Sequence, residues 1–251
     1  MKDAKTLAYI NLYAILGTVP LLCEYDEKAR ELASVKKTVL GFSVKGGPSA
    51  SLRFENGKCE FYEGCDGCDI KLGFSSPEKF NGMIDGTVTP IPSKGLLKVK
   101  FLLKNFIGIT DILTKYLRAS EEDLADPEFF EKSTKLMFSV IVNAVAQIGN
   151  NDKVGRASAS YITDGVIRFA MGDSDYAYIE ASSHFLRAHM GKPEKYTAYM
   201  SFDSISLARK LFDGKVNAVS CVGLGDVRIG GMVSQVDNVN RILDRVELYL
   251  A

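Results

Sequence analysis

Apolar residues recur along this chain with two periods, and the periods alternate in an order that occurs twice. Cys68, Ile70, Leu72 and Phe74 share one face of an extended segment while Asp69 and Lys71 point the other way. That is the period-two pattern of a sheet buried on one side. Ala198, Met200 and Phe202 repeat it, and Val227 and Ile229 alternate again further on. Helical periods stand between these strands. After Asp237, which is placed as an N-cap, Val239, Ile242, Leu243 and Val246 fall at i, i+3, i+4 and i+7. Ile109, Ile112, Leu113, Tyr116 and Leu117 do the same in the first half. A helix is also predicted ahead of each set, over residues 6–35 with breaks near Gly17 and Pro20, and over residues 127–148.

The repeated order predicts a duplication. GPSASLRFENGKCEF is answered by GRASASYITDGVIRF. Each reads as a small-residue lead-in, a strand, a turn pair (Asn56-Gly57 or Asp164-Gly165) and a second strand ending at Phe61 or Phe169. LGFSSPEKFNGMIDGTV is answered by MSFDSISLARKLFDGKV, and each copy runs on through a strand around Val99 or Val227 into a last amphipathic helix. Self-similarity in fixed order means two copies of one supersecondary unit. The turn glycines Gly57 and Gly165 are 165 − 57 = 108 apart, and the later glycines Gly86 and Gly214 are 214 − 86 = 128 apart. The second copy is therefore expected to hold about 20 extra residues within 172–198. They read as a strand at Tyr176–Glu180 and a short helix near Ser183–Met190, ended by Gly191 and Pro193. The charged stretch RASEEDLADPEFF contains a proline and lacks apolar periodicity, so it reads as the linker between domains at residues 1–119 and 120–251.

Composition narrows the function. With 251 residues, 46% of them hydrophobic, the chain can bury two ordinary cores. Lys+Arg and Asp+Glu both number 31, so there is no basic excess to neutralise phosphates, and nucleic acid is not an expected partner. No apolar run is read as reaching the roughly 20 residues of a transmembrane helix. In LAYINLYAILGTVPLL, Asn11 interrupts the run, and no small-x-small cleavage site follows. The segment is expected to be a buried helix of a soluble, cytoplasmic chain. The five cysteines are odd in number and irregularly spaced, as reduced thiols are.

Chemistry-bearing clusters are sparse. His184 and His189 are five apart, whereas a helical zinc pair needs i, i+4. Glu180 and His184 are four apart, but across an expected strand-to-helix junction. Cys65-Asp66-Gly67-Cys68, with Cys59 upstream, reads either as a redox pair or half a zinc site, or as a turn residue followed by a small buried one. The motif opens a strand instead of a helix, which favours the second reading. Gly223-Leu224-Gly225-Asp226 and Gly230-Gly231 flank a strand and do not open a helix, so they read as turn and bulge, not as a nucleotide loop. No catalytic residue, metal or cofactor is expected.

The repeated unit resembles the sterol carrier protein 2 family of small lipid-binding modules. The residues that carry the resemblance are ENGKCEF, CDIKLGFSSPEKFNGMIDGTV and LLKVKFLLKN in the first copy. In the second they are TDGVIRF, MSFDSISLARKLFDGKV and GLGDVRIGG. Two departures stand in the first copy: Pro90-Ile91-Pro92 precedes the late strand, and no glycine directly follows that strand. The resemblance implies an α+β fold in two tandem copies, each a twisted, mainly antiparallel sheet covered by helices. It also implies an apolar tunnel for a fatty acyl chain, a sterol-like molecule or another lipid, held without covalent chemistry. Its walls would come from Leu72, Phe74, Phe80, Met83, Ile84, Val99 and Phe101 in the first copy. In the second they would come from Met200, Phe202, Leu207, Leu211, Phe212, Val227, Ile229 and Met232. The expected partner is a hydrophobic small molecule or lipid, and transient contact with a membrane surface is compatible with it. Two alternatives stand beside this: a scaffold that keeps the fold with its core filled by Phe, Tyr and Leu, and a redox or metal site at Cys65 and Cys68.

Overall fold

The computed structural model describes residues 2–250. Helix α1 (Ala4–Tyr9) is capped by Asp3, whose carboxylate accepts the Thr6 N–H at 2.7 Å. It continues through a π-helical stretch (Ile10–Ile15) and a 3-10 turn (Leu16–Thr18) into α2 (Val19–Tyr25). The run does not break at Gly17 or Pro20. Pro20 falls in the first turn of α2, where its missing N–H has no helical partner to lose. The break comes at Asp26, which accepts the Ala29 N–H and starts α3 (Glu27–Ala33). Contrary to expectation, Ala4–Tyr25 is long and apolar enough to cross a membrane by length and composition, with a mean hydropathy of 1.6. Here Ala8, Leu12, Leu16, Val19 and Leu22 are buried in the core of the first unit.

Strands β1 (Thr38–Val44), β2 (Ser49–Glu55), β3 (Lys58–Glu63) and β4 (Ile70–Phe74) follow. The β2–β3 hairpin forms as predicted: Asn56 and Gly57 take φ of 51° and 82°, the left-handed pair that a two-residue turn needs. Helix α4 (Pro77–Ile84) starts after Ser76 and ends at Asp85, with Gly86 at φ 72°. A short edge strand, β5 (Pro92–Lys94), precedes a helical run. The run comprises a 3-10 turn (Leu96–Lys98), α5 (Val99–Phe101), a π-helical stretch (Leu102–Phe106) and α6 (Ile107–Leu117). Val99 and Phe101 are therefore helical, not strand residues.

Helix α7 (Pro127–Asn151) leads into the second copy, and the two compact units, Met1–Val140 and Ile141–Ala251, divide within it. Asp152 caps α8 (Lys153–Ala159). Strands β6 (Gly165–Met171), β7 (Ser174–Ser182), β8 (Phe185–Met190) and β9 (Ala198–Phe202) follow. Helices α9 (Ile205–Phe212) and α10 (Ala218–Leu224), strand β10 (Val227–Gly231) and α11 (Val233–Leu250) complete the chain.

Each unit holds one five-stranded mixed sheet, in the orders β3-β2-β1-β4-β5 and β8-β7-β6-β9-β10. The central pairs β1/β4 and β6/β9 are parallel, and every other pairing is antiparallel. The strand orders coincide position by position. Leu40, Leu52 and Phe61 lie abreast in the first sheet, as Ile167, Ile179 and Ala188 do in the second (167 − 40 = 179 − 52 = 188 − 61 = 127). Ile70 and Ala198 come next (198 − 70 = 128).

The 20-residue insertion expected from the turn glycines is therefore absent from the alignment of the two copies. Gly165 begins β6, the counterpart of β1, and is no hairpin turn matching Gly57. The supposed extra strand is β7, the counterpart of β2. The supposed extra helix over Ser183–Met190 is strand β8, the counterpart of β3. The glycine thought missing from the first copy is Gly95. It ends β5 with φ 85° as Gly231 ends β10 with φ 75°. A Cβ on Gly95 would collide with the Asp69 carbonyl oxygen and lie 2.9 Å from the Ile70 Cα. On Gly231 it would collide with the Thr197 carbonyl oxygen and lie 2.8 Å from the Ala198 Cα.

Candidate functional site

Apart from Val99 and Met232, which are exposed, the candidate wall residues lie buried or half-buried where sheet and helices meet, and the two units fill that layer differently. In the first unit, Leu40, Phe42 and Val44 of β1 share the buried face with Leu72 and Phe74 of β4. Phe80 of α4 is fully buried and packs edge-on against Phe74, with ring centroids 5.2 Å apart, and against Phe42 at 6.3 Å. Phe106 lies 5.8 Å from Phe42 and 6.5 Å from Phe54, and Phe101 lies 5.3 Å from Phe54. These offset and edge-to-face contacts are the favoured aromatic geometries. Met83 and Ile84 close the cluster from the end of α4, while Val99 is 39% exposed and takes no part in it. The interior of this unit is occupied by its own rings.

At three matching points the second unit places smaller side chains, while Met171 stands for Val44 and Phe212 for Ile84. Ala181 stands opposite Gly165 as Phe54 stands opposite Thr38. Ala208 holds the place of Phe80 in the Ser-capped helix, since Ser76 and Ser204 start the two helices and Asp85 and Asp213 end them. Val239, ten residues before the anchor Tyr249, matches Phe106, ten before Tyr116. Three buried rings are thus two alanines and a valine. Phe202, Met200 and Val227 are buried, and Phe202 keeps an edge-on contact with Phe212 at 6.2 Å. Leu207, Leu211, Phe212 and Ile229 are only half-buried, and Met232 is 43% exposed. Val222 and Leu224 of α10 also stay exposed beside β10.

Polar anchors, which the sequence pattern did not flag, are duplicated as well. The Tyr116 hydroxyl donates to Asp26 at 2.9 Å, and the Tyr249 hydroxyl donates to Asp152 at 2.7 Å. Each ties the last helix of a unit to a helix N-cap. Burial and the neighbouring Asp26 carboxylate both push the Tyr116 hydroxyl pKa up. Asp152 also faces Arg245, at 2.7 and 2.8 Å. Its burial opposes ionisation, but Arg245, the Gly155 N–H and Tyr249 outweigh it and hold the carboxyl below its usual range. At the start of the central strands, Asp69 accepts the Val39 N–H at 2.9 Å and Thr197 Oγ1 accepts the Val166 N–H at 3.0 Å. Val39 and Val166 are the same place in the two sheets. Asx and Thr signals before a strand could have marked these clamps.

The remaining sequence candidates do not converge on one site. His184 sits in the β7–β8 turn at φ 65°, while His189 stacks on Tyr178 at 4.7 Å and lies 3.4 Å from Glu180. Cys68 is buried, with its thiol beside Gly41, and Cys65 is half-buried in the preceding turn. Burial and a hydrogen bond with Cys23 push the Cys59 thiol pKa far up, which leaves it protonated. Among the described residues no three His, Cys, Asp or Glu side chains are grouped so as to hold a metal. A groove of about 250 Å³ on the first sheet is lined by Lys37, Val39, Ser51, Arg53, Tyr62, Glu63 and Asp66. It is polar, and it lies on the sheet face away from the phenylalanines.

The class is thus defined by architecture: an α+β protein of two like units, each a five-stranded mixed sheet with helices. Its likeness to known proteins is structural. One solved structure with a similar arrangement is the sterol carrier protein 2 of Yarrowia lipolytica in its apo form. It is 18% identical, with a TM-score of 0.31, over 40% of this chain and 91% of that one. Another is Pisa1, a stereoselective inverting sec-alkylsulfatase from a Pseudomonas species, 12% identical with a TM-score of 0.25. There the match covers 56% of this chain and 29% of that one. No protein-family model and no curated protein matches the chain.

Proposed function

We propose that the second unit binds a hydrophobic molecule, a fatty acyl chain or sterol-like lipid, between its sheet and α9, α10 and α11, and carries it without covalent chemistry. One observation carries the reading: Phe54, Phe80 and Phe106, which fill the first unit, are matched by Ala181, Ala208 and Val239 in the second. The half-buried Leu207, Leu211, Phe212 and Ile229 supply apolar surface that an apolar guest would finish covering. Burial contributes about 0.8 kcal/mol per methylene, so a long chain needs no charged partner to bind. The ligand class comes from the family that the repeated unit resembles.

Solvent extraction of the denatured protein should release lipid near one equivalent per chain, and a fluorescent fatty acid should bind and be displaced by unlabelled acyl chains. Ala208→Phe should weaken that binding by about tenfold or more, because a ring would occupy the space the ligand takes. A clean extract together with no fluorescent binding sinks the reading. For the first unit the packed phenylalanines favour the other alternative, a module that keeps the fold with its interior filled. Ligand binding should therefore be insensitive to substitutions at Met83 or Ile84.

A further inference from the structure

After β5 the first unit presents an outward surface that its own core does not use. Ile91, Leu96 and Leu97 are 78%, 65% and 103% exposed, and Leu103 and Ile107 on the following helical run are 66% and 45% exposed. Leucines so placed in a folded chain mark a surface with a partner. The charges beside them say which partner. Residues 86–110 contain four lysines, Lys94, Lys98, Lys100 and Lys104, and no acid. Lys98 is paired with Asp69 at 3.2 Å, and Lys94 donates to the Cys68 carbonyl oxygen at 2.6 Å. Lys100 and Lys104 are exposed and hold no ion pair among the described residues. On the helix, Leu96, Lys100, Leu103 and Ile107 follow one another at i, i+4, i+7 and i+11, so leucines and lysines share the outer face while Leu102, Phe106 and Ile109 face the core.

We propose that this face docks on an anionic lipid bilayer. The leucines enter the boundary between headgroups and acyl chains, and Lys100 and Lys104 meet the lipid phosphates and carboxylates. A helix with exposed leucines flanked by lysines lies in such an interface, and its hold is the sum of buried apolar area and attraction to anionic headgroups. A second protein chain would need acids to match the lysines; a bilayer carrying phosphatidylserine supplies them everywhere. The proposal concerns the outside of the first unit and does not depend on what the second unit holds inside.

Flotation of the full chain with vesicles tests it. The chain should float with vesicles containing phosphatidylserine and float far less with pure phosphatidylcholine or at high salt. Lys100→Gln with Lys104→Gln should lower partitioning about 30-fold, at about 1 kcal/mol per lysine near the surface. Leu97→Ser with Leu103→Ser should lower it by about tenfold or more. Both pairs are exposed, so the fold is expected to survive, and fatty-acid binding by the second unit serves as an independent control that these variants leave unchanged. Variants that float like the unaltered chain overturn the proposal. So does a chain that ignores anionic vesicles, or one whose leucine face forms a dimer by sedimentation that Leu97→Ser abolishes.

Discussion

A methyl group at residue 95 or 231 has nowhere to go: both positions combine a left-handed backbone with a carbonyl oxygen directly in the way. Gly95→Ala and Gly231→Ala should each destabilise their own unit by about 2 kcal/mol or more, read from denaturant midpoints, since strain and collision add. Phe80 is the opposite case, a ring with neighbours on every side. Phe80→Ala should cost about 3–5 kcal/mol by leaving a cavity among Phe42 and Phe74. Asp152 makes the stability of the second unit depend on pH. Its folded pKa is depressed, so its contribution is complete above the ordinary carboxylate value near 4 and is lost as pH falls through the lower folded value. Asp152→Asn keeps a cap but leaves Arg245 without its counter-charge. It should lower stability at neutral pH by about 2 kcal/mol and flatten the acid limb of a stability–pH curve; an unchanged limb would assign that limb to other carboxylates.

At the scale of elements, short-range patterns were legible in the sequence and the matching of strands between the two copies was not. β4 has one buried face, and its alternation from Ile70 to Phe74 was plain. β1 is buried along almost its whole length, because Gly41 lies under Cys65 and Cys68 on the far face. Leu40, Phe42 and Val44 still alternate there with Gly41 and Ser43, but no strand is assigned to Thr38–Val44 from the sequence, so β6 is matched to β3 in place of β1, two strands out of step. The error propagated: β7 and β8 became an insertion, and Phe185–Met190 became a helix. Leu97, Val99 and Phe101 alternate with Lys98 and Lys100 as a strand would, yet they are helical, since Gly95 has already ended the edge strand. The caps at Ser76 and Ser204 and the Asp-Gly ends of α4 and α9 were legible because turn chemistry is local. Of the exchanges on which the candidate site rests, Phe80 for Ala208 stands in the aligned helix segments of the sequence, whereas Phe54 for Ala181 needed the strand register.

For the whole molecule, two units built to one plan need not respond together. If ligand enters the second unit alone, a saturating fatty acid should slow amide exchange over residues 165–250 and leave residues 38–117 unchanged. At a hundredfold excess over its Kd it would add about 2.7 kcal/mol to the unit that holds it. Protection spread equally over both halves would contradict the unequal roles. The constant spacing of the two sheets has a further consequence, for descent. A single residue gained inside a strand turns every later side chain to the wrong face unless a bulge absorbs it, and the ladders of the two copies differ only at such register shifts, beside Phe169 in β6/β7 and beside Lys71 in β4/β5. The larger changes lie elsewhere. One residue was gained between the third and fourth strands of the sheet, and eight more before the edge strand (230 − 94 = 136 against 128), where α10 now sits. Three were lost before the anchoring tyrosine (249 − 116 = 133 against 136). Insertion scanning of either copy should redraw the same history, with tolerance at those three joints and at the two register shifts, and unfolding in the regular ladders between them.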